Sequence, residues 1–498
     1  MPNHTQIAVI GTGFAGLAAA IKLREAGFED FVVYERAHDV GGTWRDNTYP
    51  GCACDVESVL YSFSFDQNPR WSRAFSPQQE IHAYLRRVYE EHALAPKMRF
   101  GHELLSARWD DQHARWVLET SQGRFTATVL VSGMGGLCEP AYPQLPGLDT
   151  FAGRSFHSAR WDHDFDLTGK RVGVIGTGAS SIQFVPQIQP QVAELTVFQR
   201  TPPWVIPRQD RALSALEHAL FERYPALLKL ARGAIYARRE LMVLAFKNPR
   251  VIRLAESMAK RHLARAVQDP ALRAKLTPDY AIGCKRILIS NDYLPSLAQP
   301  NVHVETHGIR EVRPHGVVTA DGVEHALDAL IFGTGFKVTD MPLGHIVHGR
   351  DGRTLHERWR GTPEAHLGTM VAGVPNFFCL MGPNTGLGHS SMVLQIESQV
   401  ALLLGALEHM KTHQIAALEP RPEAQARFVA LIDKLSQGTV WTGGSCQSWY
   451  LDQNGRNSTL WPSFTFDFRR RARFRPDEYL FTAAHKHEPV AARALVTA

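Results

Sequence analysis

Cysteine is scarce in this chain: six residues in 498, at Cys52, Cys54, Cys138, Cys284, Cys379 and Cys446. None forms a C-x-x-C pair and no paired zinc spacing occurs, so no metal site and no disulfide-built scaffold is expected, and a reducing, cytoplasmic setting fits. Long apolar runs are missing too, so no segment is expected to span a membrane. No basic-then-apolar leader precedes the first strand-like stretch at residues 6–10. Charge of one sign is also in short supply. The formal net charge is only +5 and the arginines are scattered, so no nucleic-acid partner is expected. The two densest basic runs, ARRE (237–240) and RRRARFR (469–475), read first as solvated faces or helix ends, with a cofactor phosphate or an acidic membrane surface as the alternatives.

What the chain does have is a folded composition, 44% hydrophobic and 21% charged, and a length that suits about three domains. Its opening, QIAVIGTGFAGLAAAIKLREAGFEDFVVYER, divides into a buried strand, a glycine turn, a helix and a second strand. This is a βαβ unit of a parallel sheet. Gly11-x-Gly13-x-x-Gly16, with Phe14 and Ala15 between the last two glycines, opens the helix. The glycines allow a tight turn, close approach of a pyrophosphate and close helix packing, and the helix N-terminus favours anions. Glu35 follows nineteen residues after Gly16, the spacing of a ribose-binding acid, and favours FAD or NAD over NADP. A second glycine pair, GGTW (41–44), resembles flavoproteins that lay FAD along the sheet edge.

The plan repeats 165 residues later in RVGVIGTGASSIQFVPQIQPQVAELTVFQR. Gly176-Thr177-Gly178-Ala179-Ser180-Ser181 has serine where the third glycine would stand. Its second strand ends in Arg200, nineteen residues after Ser181, where an acid would otherwise lie; an arginine there accommodates a 2′-phosphate and points to NADPH. The fold class is therefore α/β, with two Rossmann-like dinucleotide-binding domains and a helical insertion. The expected boundaries are 1–147 for the first part of the FAD domain and 148–208 for the first part of the NADP domain. A helical insertion then covers 209–280, the NADP domain resumes over 281–335, and the FAD domain over 336–498. Amphipathic basic helices of the insertion either pack on the main body or lie on a membrane, the first reading being favoured. Asp321-Gly322 marks a hairpin.

Electrons passed from NADPH to a flavin need an acceptor. A disulfide reductase requires a cysteine pair beside the flavin, but Trp44 follows Gly-Gly-Thr, and Cys52-Ala-Cys54 is a strained spacing for a disulfide. Between the two units lies FAGRSFHSARWD, with Phe151, Gly153, His157, Trp161 and Asp162. This stretch matches the fingerprint of Baeyer–Villiger monooxygenases. YPGCACDVES (49–58), GCKRILISNDY (283–293), GTGF (333–336), GPNTGLGHSSM (382–392) and SWY (448–450) fit the same family. The chain resembles type I Baeyer–Villiger monooxygenases, its 4-hydroxyacetophenone monooxygenase-like branch above all.

That resemblance implies a cofactor pair, FAD and NADPH, and conversion of a ketone with O₂ to an ester or lactone through a peroxyflavin. It implies that Arg286 stabilises the negative charge, that Asp55 orients Arg286, and that Arg286 also meets NADP. Arginine suits that task because it stays charged and releases no proton at neutral pH. By the same carry-over Arg36, Thr43, Trp44, Asp55, Tyr61 and Met392 contact the flavin. Arg200, Thr201 and Lys285 hold the NADP phosphate, Trp449 closes over NADP, and His157 lies at a hinge between the domains. Linear aliphatic or aryl alkyl ketones are favoured by analogy, and the oligomeric state stays open between monomer and dimer. The alternatives are a flavin-containing monooxygenase oxidising amines or sulfides, and an uncoupled NADPH oxidase.

Overall fold

Apolar runs that end in glycine turns become the central strands of two parallel sheets. A computed structural model describes residues 3–443 and 448–483, with the backbone alone at 249–250; Cys446 lies outside the described residues. In the first sheet, five strands run parallel in the order Met98–Phe100, Phe31–Glu35, His4–Ile10, Gly123–Ser132, Phe377–Cys379. Ile10 pairs with both Tyr34 and Ser132, so the carboxyl ends are level and the first glycine turn lies at that edge. The early half of Gly123–Ser132 also carries an antiparallel extension, Arg115–Thr120 and Leu104–Asp110.

The helix Phe14–Glu25 has no polar face in the usual sense. Ala15, Leu17, Ala18, Ala19, Ala20, Ile21 and Leu23 are all buried, because the sheet covers one side and the long helix Met392–His413 the other. A helix apolar all round is an interior helix. Each fully buried leucine there stabilises the fold by about 1.5–3 kcal/mol relative to exposure.

The second sheet is wholly parallel, in the order Val302–Glu305, Glu194–Phe198, Arg171–Ile175, Ala329–Phe332, Arg154–His157. It draws strands from both sides of a helical stretch: Ala215–Arg223, Pro225–Lys247, Pro249–Ala266 and Pro270–Lys275. Ser214 starts that stretch with a complete capping box to Glu217. Asp321-Gly322 closes the pair Gly316–Thr319 and Glu324–Ala326, with Gly322 at φ +88°. The chain leaves the first sheet and returns to it through two antiparallel connectors. Ala141 N donates to Gly335 O (2.9 Å) and Lys337 N to Glu139 O (3.0 Å). Among the described residues no helix is long and apolar enough to cross a membrane.

Candidate active site

The first glycine turn has the shape a pyrophosphate requires. Gly11 adopts φ +94°, and a Cβ on Gly16 would meet Gly11 O at 1.8 Å, so nothing larger fits between turn and helix. The GG of GGTW packs onto the same turn: a Cβ on Gly42 would meet Gly13 Cα at 3.0 Å. No side chain caps the helix Phe14–Glu25, so its first amides face outward for an anion. Glu35 is buried at the strand end, where Thr12 N and Thr12 Oγ1 donate to one oxygen (3.0 and 2.7 Å) and Ala37 N to the other (2.9 Å). Arg45 pairs with that second oxygen at 3.1 Å. Arg36 reaches away from this turn to the outgoing connector, donating to Glu139 at 2.5 Å. Thr43 opens the short helix Thr43–Asp46. Trp44 Nε1 donates to Tyr61 OH (3.1 Å), and Tyr61 packs edge-on to Phe14 (5.1 Å between centroids). Burial pushes the Tyr61 hydroxyl well up, keeping it neutral. Met392 opens the helix Met392–His413 against the apolar cluster that holds Leu387 and Trp461.

The second turn shows how serine replaces glycine. Gly176 has φ +102° and faces Gly333, where a Cβ would stand 2.5 Å from its oxygen. Ser181 is fully buried, and a Cβ on Gly333 would meet its Oγ at 1.9 Å. The space that Gly16 and Gly133 share in the first unit is taken in the second by a serine against a glycine. Gly178 and Ala179 complete the turn, and Ser180 precedes the helix Ser181–Ile188 without a capping hydrogen bond from its side chain. Thr177 Oγ1 donates to Thr201 O (3.3 Å). Arg200 is exposed, and Lys285 lies close enough to feel it. Burial first, and then the Arg200 charge, lower the Lys285 ammonium, with Asp279 opposing. Two cations that repel in this way leave room for a shared anion.

Asp55 and Arg286 come from segments 231 residues apart and meet in one ion pair. Arg286 Nε and Nη2 both reach Asp55 Oδ2, at 2.7 and 2.5 Å. The Asp55 charge raises the Arg286 guanidinium above its ordinary value, against the effect of burial. Burial pushes the Asp55 carboxyl up, and Arg286 outweighs it, so Asp55 stays below the usual carboxylate range. Each side chain keeps somewhat over a quarter of its surface open (29% and 28%), enough for a small reactant to reach the pair.

Three further residues surround this pair. Tyr450, buried, lies close enough for the Arg286 charge to act on its hydroxyl. Arg239 from the helix Pro225–Lys247 donates to the backbone oxygen of Asp55 (3.2 Å) and to Glu57 (2.8 Å). Gln183 from the second-unit helix binds the Asp55 loop, accepting from Tyr49 OH (2.9 Å) and donating to Ala53 O (3.0 Å). Trp449 is exposed at 43% and stacks at a tilt on Tyr450, 4.5 Å between centroids.

The fingerprint residues have structural reasons of their own. A Cβ on Gly153 would lie 2.5 Å from Asp328 O and 2.7 Å from the Phe151 ring. His157 ends the strand Arg154–His157, fully buried, and its Nδ1 accepts from Ala159 N (3.1 Å). Rings from both connectors press on it, Tyr142 at 5.4 Å and Phe336 at 5.8 Å. Burial lowers its imidazole to about 4, against a weaker contact from the Gly335 backbone, so it is neutral at pH 7. Trp161 packs between Phe156 and Phe184, while Asp162 accepts from Arg154 (2.5 Å) and Asp164 N (3.1 Å).

Cys52 and Cys54 are free, buried thiols; burial pushes Cys52 up to about 12 and Cys54 higher. Neither is a disulfide partner or a thiolate nucleophile. Among the described residues one group, Asp340, His345 and His356, could share a metal ion. It closes on itself instead, with Asp340 bonded to His345 (2.6 Å) and the two rings stacked at 4.2 Å.

Comparison with known proteins identifies the family. The family described as flavin-binding monooxygenase-like matches residues 4–345. A Baeyer–Villiger monooxygenase of Streptomyces coelicolor is 55% identical over 473 residues, covering 95% of this chain and 91% of its own. One from Pseudomonas aeruginosa is 52% identical over 475 residues, covering 95% and 90%. Cyclohexanone monooxygenase from Rhodococcus sp. Phi1, solved with NADP+, superposes with a TM-score of 0.87 at 30% identity, covering 97% of this chain and all of that one. The chain belongs to the flavin-binding monooxygenase-like family and, within it, to the flavin-dependent Baeyer–Villiger monooxygenases.

Proposed function

We propose that this enzyme converts linear aliphatic or aryl alkyl ketones to esters with NADPH and O₂, in the stoichiometry ketone + O₂ + NADPH + H⁺ → ester + NADP⁺ + H₂O. FAD and NADPH are its cofactors. The flavin, when bound, supplies hydride acceptance and oxygen activation; orientation and electrostatics fall to the protein.

The Arg286–Asp55 pair carries the reading. A guanidinium held through two nitrogens on one carboxylate oxygen is a fixed positive charge that donates hydrogen bonds without releasing a proton. It favours negative charge developing on oxygen at that point, first on the attacking oxygen and then on the former carbonyl oxygen. Asp55 holds the guanidinium through two of its nitrogens, and Gln183 ties the Asp55 loop to the second unit. The substrate class follows from analogy with the family; the packed apolar cluster around Tyr450, with Phe246, Ile282 and Trp441, lowers the polarity behind the pair and so strengthens its field on a developing oxyanion. Arg200, Thr201 and Lys285 would hold the NADP phosphate, and Gly11–Gly16 with Glu35 the FAD pyrophosphate and ribose.

The test supplies FAD-loaded protein with NADPH, O₂, a panel of linear, aryl and cyclic ketones, and one thioether, and reads products by mass spectrometry. An ester one oxygen heavier than its ketone is expected, favouring linear and aryl substrates. Arg286→Ala is expected to retain FAD and NADPH oxidation while ester formation falls about 10²–10³-fold. NADPH consumption that yields only hydrogen peroxide, oxidation of the thioether alone, or wild-type ester formation by Arg286→Ala would each defeat the proposal.

A further inference from the structure

The helix Pro225–Lys247 buries Leu228, Arg232, Val243 and Phe246 against the body of the enzyme. Its opposite face carries Leu227, Leu230, Ala234, Ala237, Leu241 and Leu244 at alternating spacings of three and four, all exposed. Leu230 and Leu241 are 69% and 64% open to solvent. Spacing of this kind aligns the side chains in one stripe along the helix. Leu254, on the next helix, is 72% exposed. An apolar stripe of this length on a water-facing helix calls for a partner surface.

The helix Thr465–Arg471 packs along Met392–His413 and touches Pro225–Lys247 at its first residue. Thr465 Oγ1 donates to Glu240 (2.7 Å) and lies in hydrogen-bond contact with Tyr236 OH (3.0 Å), and the Arg469 charge acts on Tyr236. This contact brings Arg469, the first residue of the basic run RRRARFR (469–475), near the helix that carries ARRE (237–240). Phe466, in the same short helix, adds an exposed ring at 56%. The acids of this region are already engaged. Glu240 is buried with His389 and Thr465, Asp467 is held by Arg470 and Arg471, and Glu57 by Arg238 and Arg239. Lys229 and Arg469 are exposed, with no ion pair among the described residues.

We propose that this face, the leucine stripe of Pro225–Lys247 with Lys229, Arg238 and Arg469 beside it, docks on an anionic phospholipid surface. Leucines entering the acyl boundary with arginines and lysines at headgroup level is the arrangement by which an interfacial helix binds. Charge decides against a second copy of the chain as the occupant. Two such stripes facing each other would bring basic flank against basic flank, whereas an anionic bilayer complements them. The docked helix backs onto the Asp55 loop through Arg232 and Arg239, so an apolar ketone would leave the bilayer close to the site that consumes it.

Full-length, FAD-loaded enzyme is centrifuged with phosphatidylcholine vesicles and with vesicles containing phosphatidylglycerol. Co-sedimentation is expected with the anionic vesicles alone and weakens as salt rises. The double variant Leu230→Glu with Leu241→Glu, and separately Arg469→Glu, should bind at least about tenfold more weakly. Both should keep wild-type melting and NADPH oxidation, because these side chains are exposed. Failure of the wild type to pellet with anionic vesicles, or pelleting of the variants as strongly as wild type, overturns the proposal. So does a dimer in sedimentation velocity that the leucine variant dissolves, which would identify a second copy as the partner.

Discussion

Arg286 and His157 show opposite uses of burial. Arg286 keeps its charge because Asp55 compensates the lost solvent. His157 has no acid beside it, and burial makes it neutral, lowered to about 4 from 6.5. Stability depends on pH with the sign of this shift. Between pH 6.5 and 4 the unfolded chain takes up a proton on residue 157 that the native chain refuses, so acidification favours unfolding. Wild type is expected to lose roughly 2–3 kcal/mol more than His157→Asn between pH 7.5 and 4.5, read by denaturant unfolding at each pH. Equal losses would show that the ring is protonated in place. Of these two residues the sequence made the identity legible but not the environment. Asp55 and Arg286 are too far apart for any local pattern to pair them, and only the family resemblance linked them. The roles of Tyr450 and Gln183 went unseen because their partners come from other segments, and nothing in SWY or SSIQF marks a contact across the fold.

Glycine turns are the elements that sequence reading found most reliably, since steric demand leaves few residue types able to fill them. Gly51 shows the limit of that reading. It belongs to the YPGCACDVES loop, but the reason for glycine there is the second unit: at φ +78°, an added Cβ would lie 2.7 Å from Gln183 O and 2.9 Å from Gln187 Cγ. Gly51→Ala therefore strains the backbone and pushes the Asp55 loop off the helix Ser181–Ile188. FAD should remain bound, since the first glycine turn is untouched, while the fraction of NADPH electrons that reach ketone falls several-fold and peroxide rises. Unchanged coupling between NADPH consumed and ester formed would show that the loop is not held by this contact. The Gly333–Ser181 exchange was illegible for the same reason: the sequence shows a serine out of pattern and gives no sign of the glycine opposite that accepts it.

At the scale of the whole molecule, the strand that completes the first sheet comes late. Gly123–Ser132 gains its outer neighbour only from Phe377–Cys379, after the chain has built the second sheet and the helical stretch. The helix Met392–His413, which covers Phe14–Glu25, comes later still. A chain ended at residue 370 contains both glycine turns but lacks both of these elements. It is expected to be protease-sensitive and to retain no FAD after gel filtration. A stable, FAD-bound product of that length would show that the first sheet folds on its own. Alternation of strand, glycine turn and helix made the two units legible, while the order in which distant strands close a sheet left no local trace.

That delayed strand sets a clock on the ribosome. Ser132 and Cys379 are roughly 250 residues apart, which at 5–20 residues per second is roughly 10–50 s of translation. For that interval the nascent first sheet carries a bare apolar edge, open to any other extended segment. The second nucleotide-binding unit, which emerges within it, is a parallel sheet of the same kind. Fidelity of synthesis thus rests on the newborn chain keeping its two halves apart until residue 379 arrives. Slower codons placed after the second sheet should lengthen the exposure and lower the yield of flavin-loaded enzyme, with no change in a single amino acid.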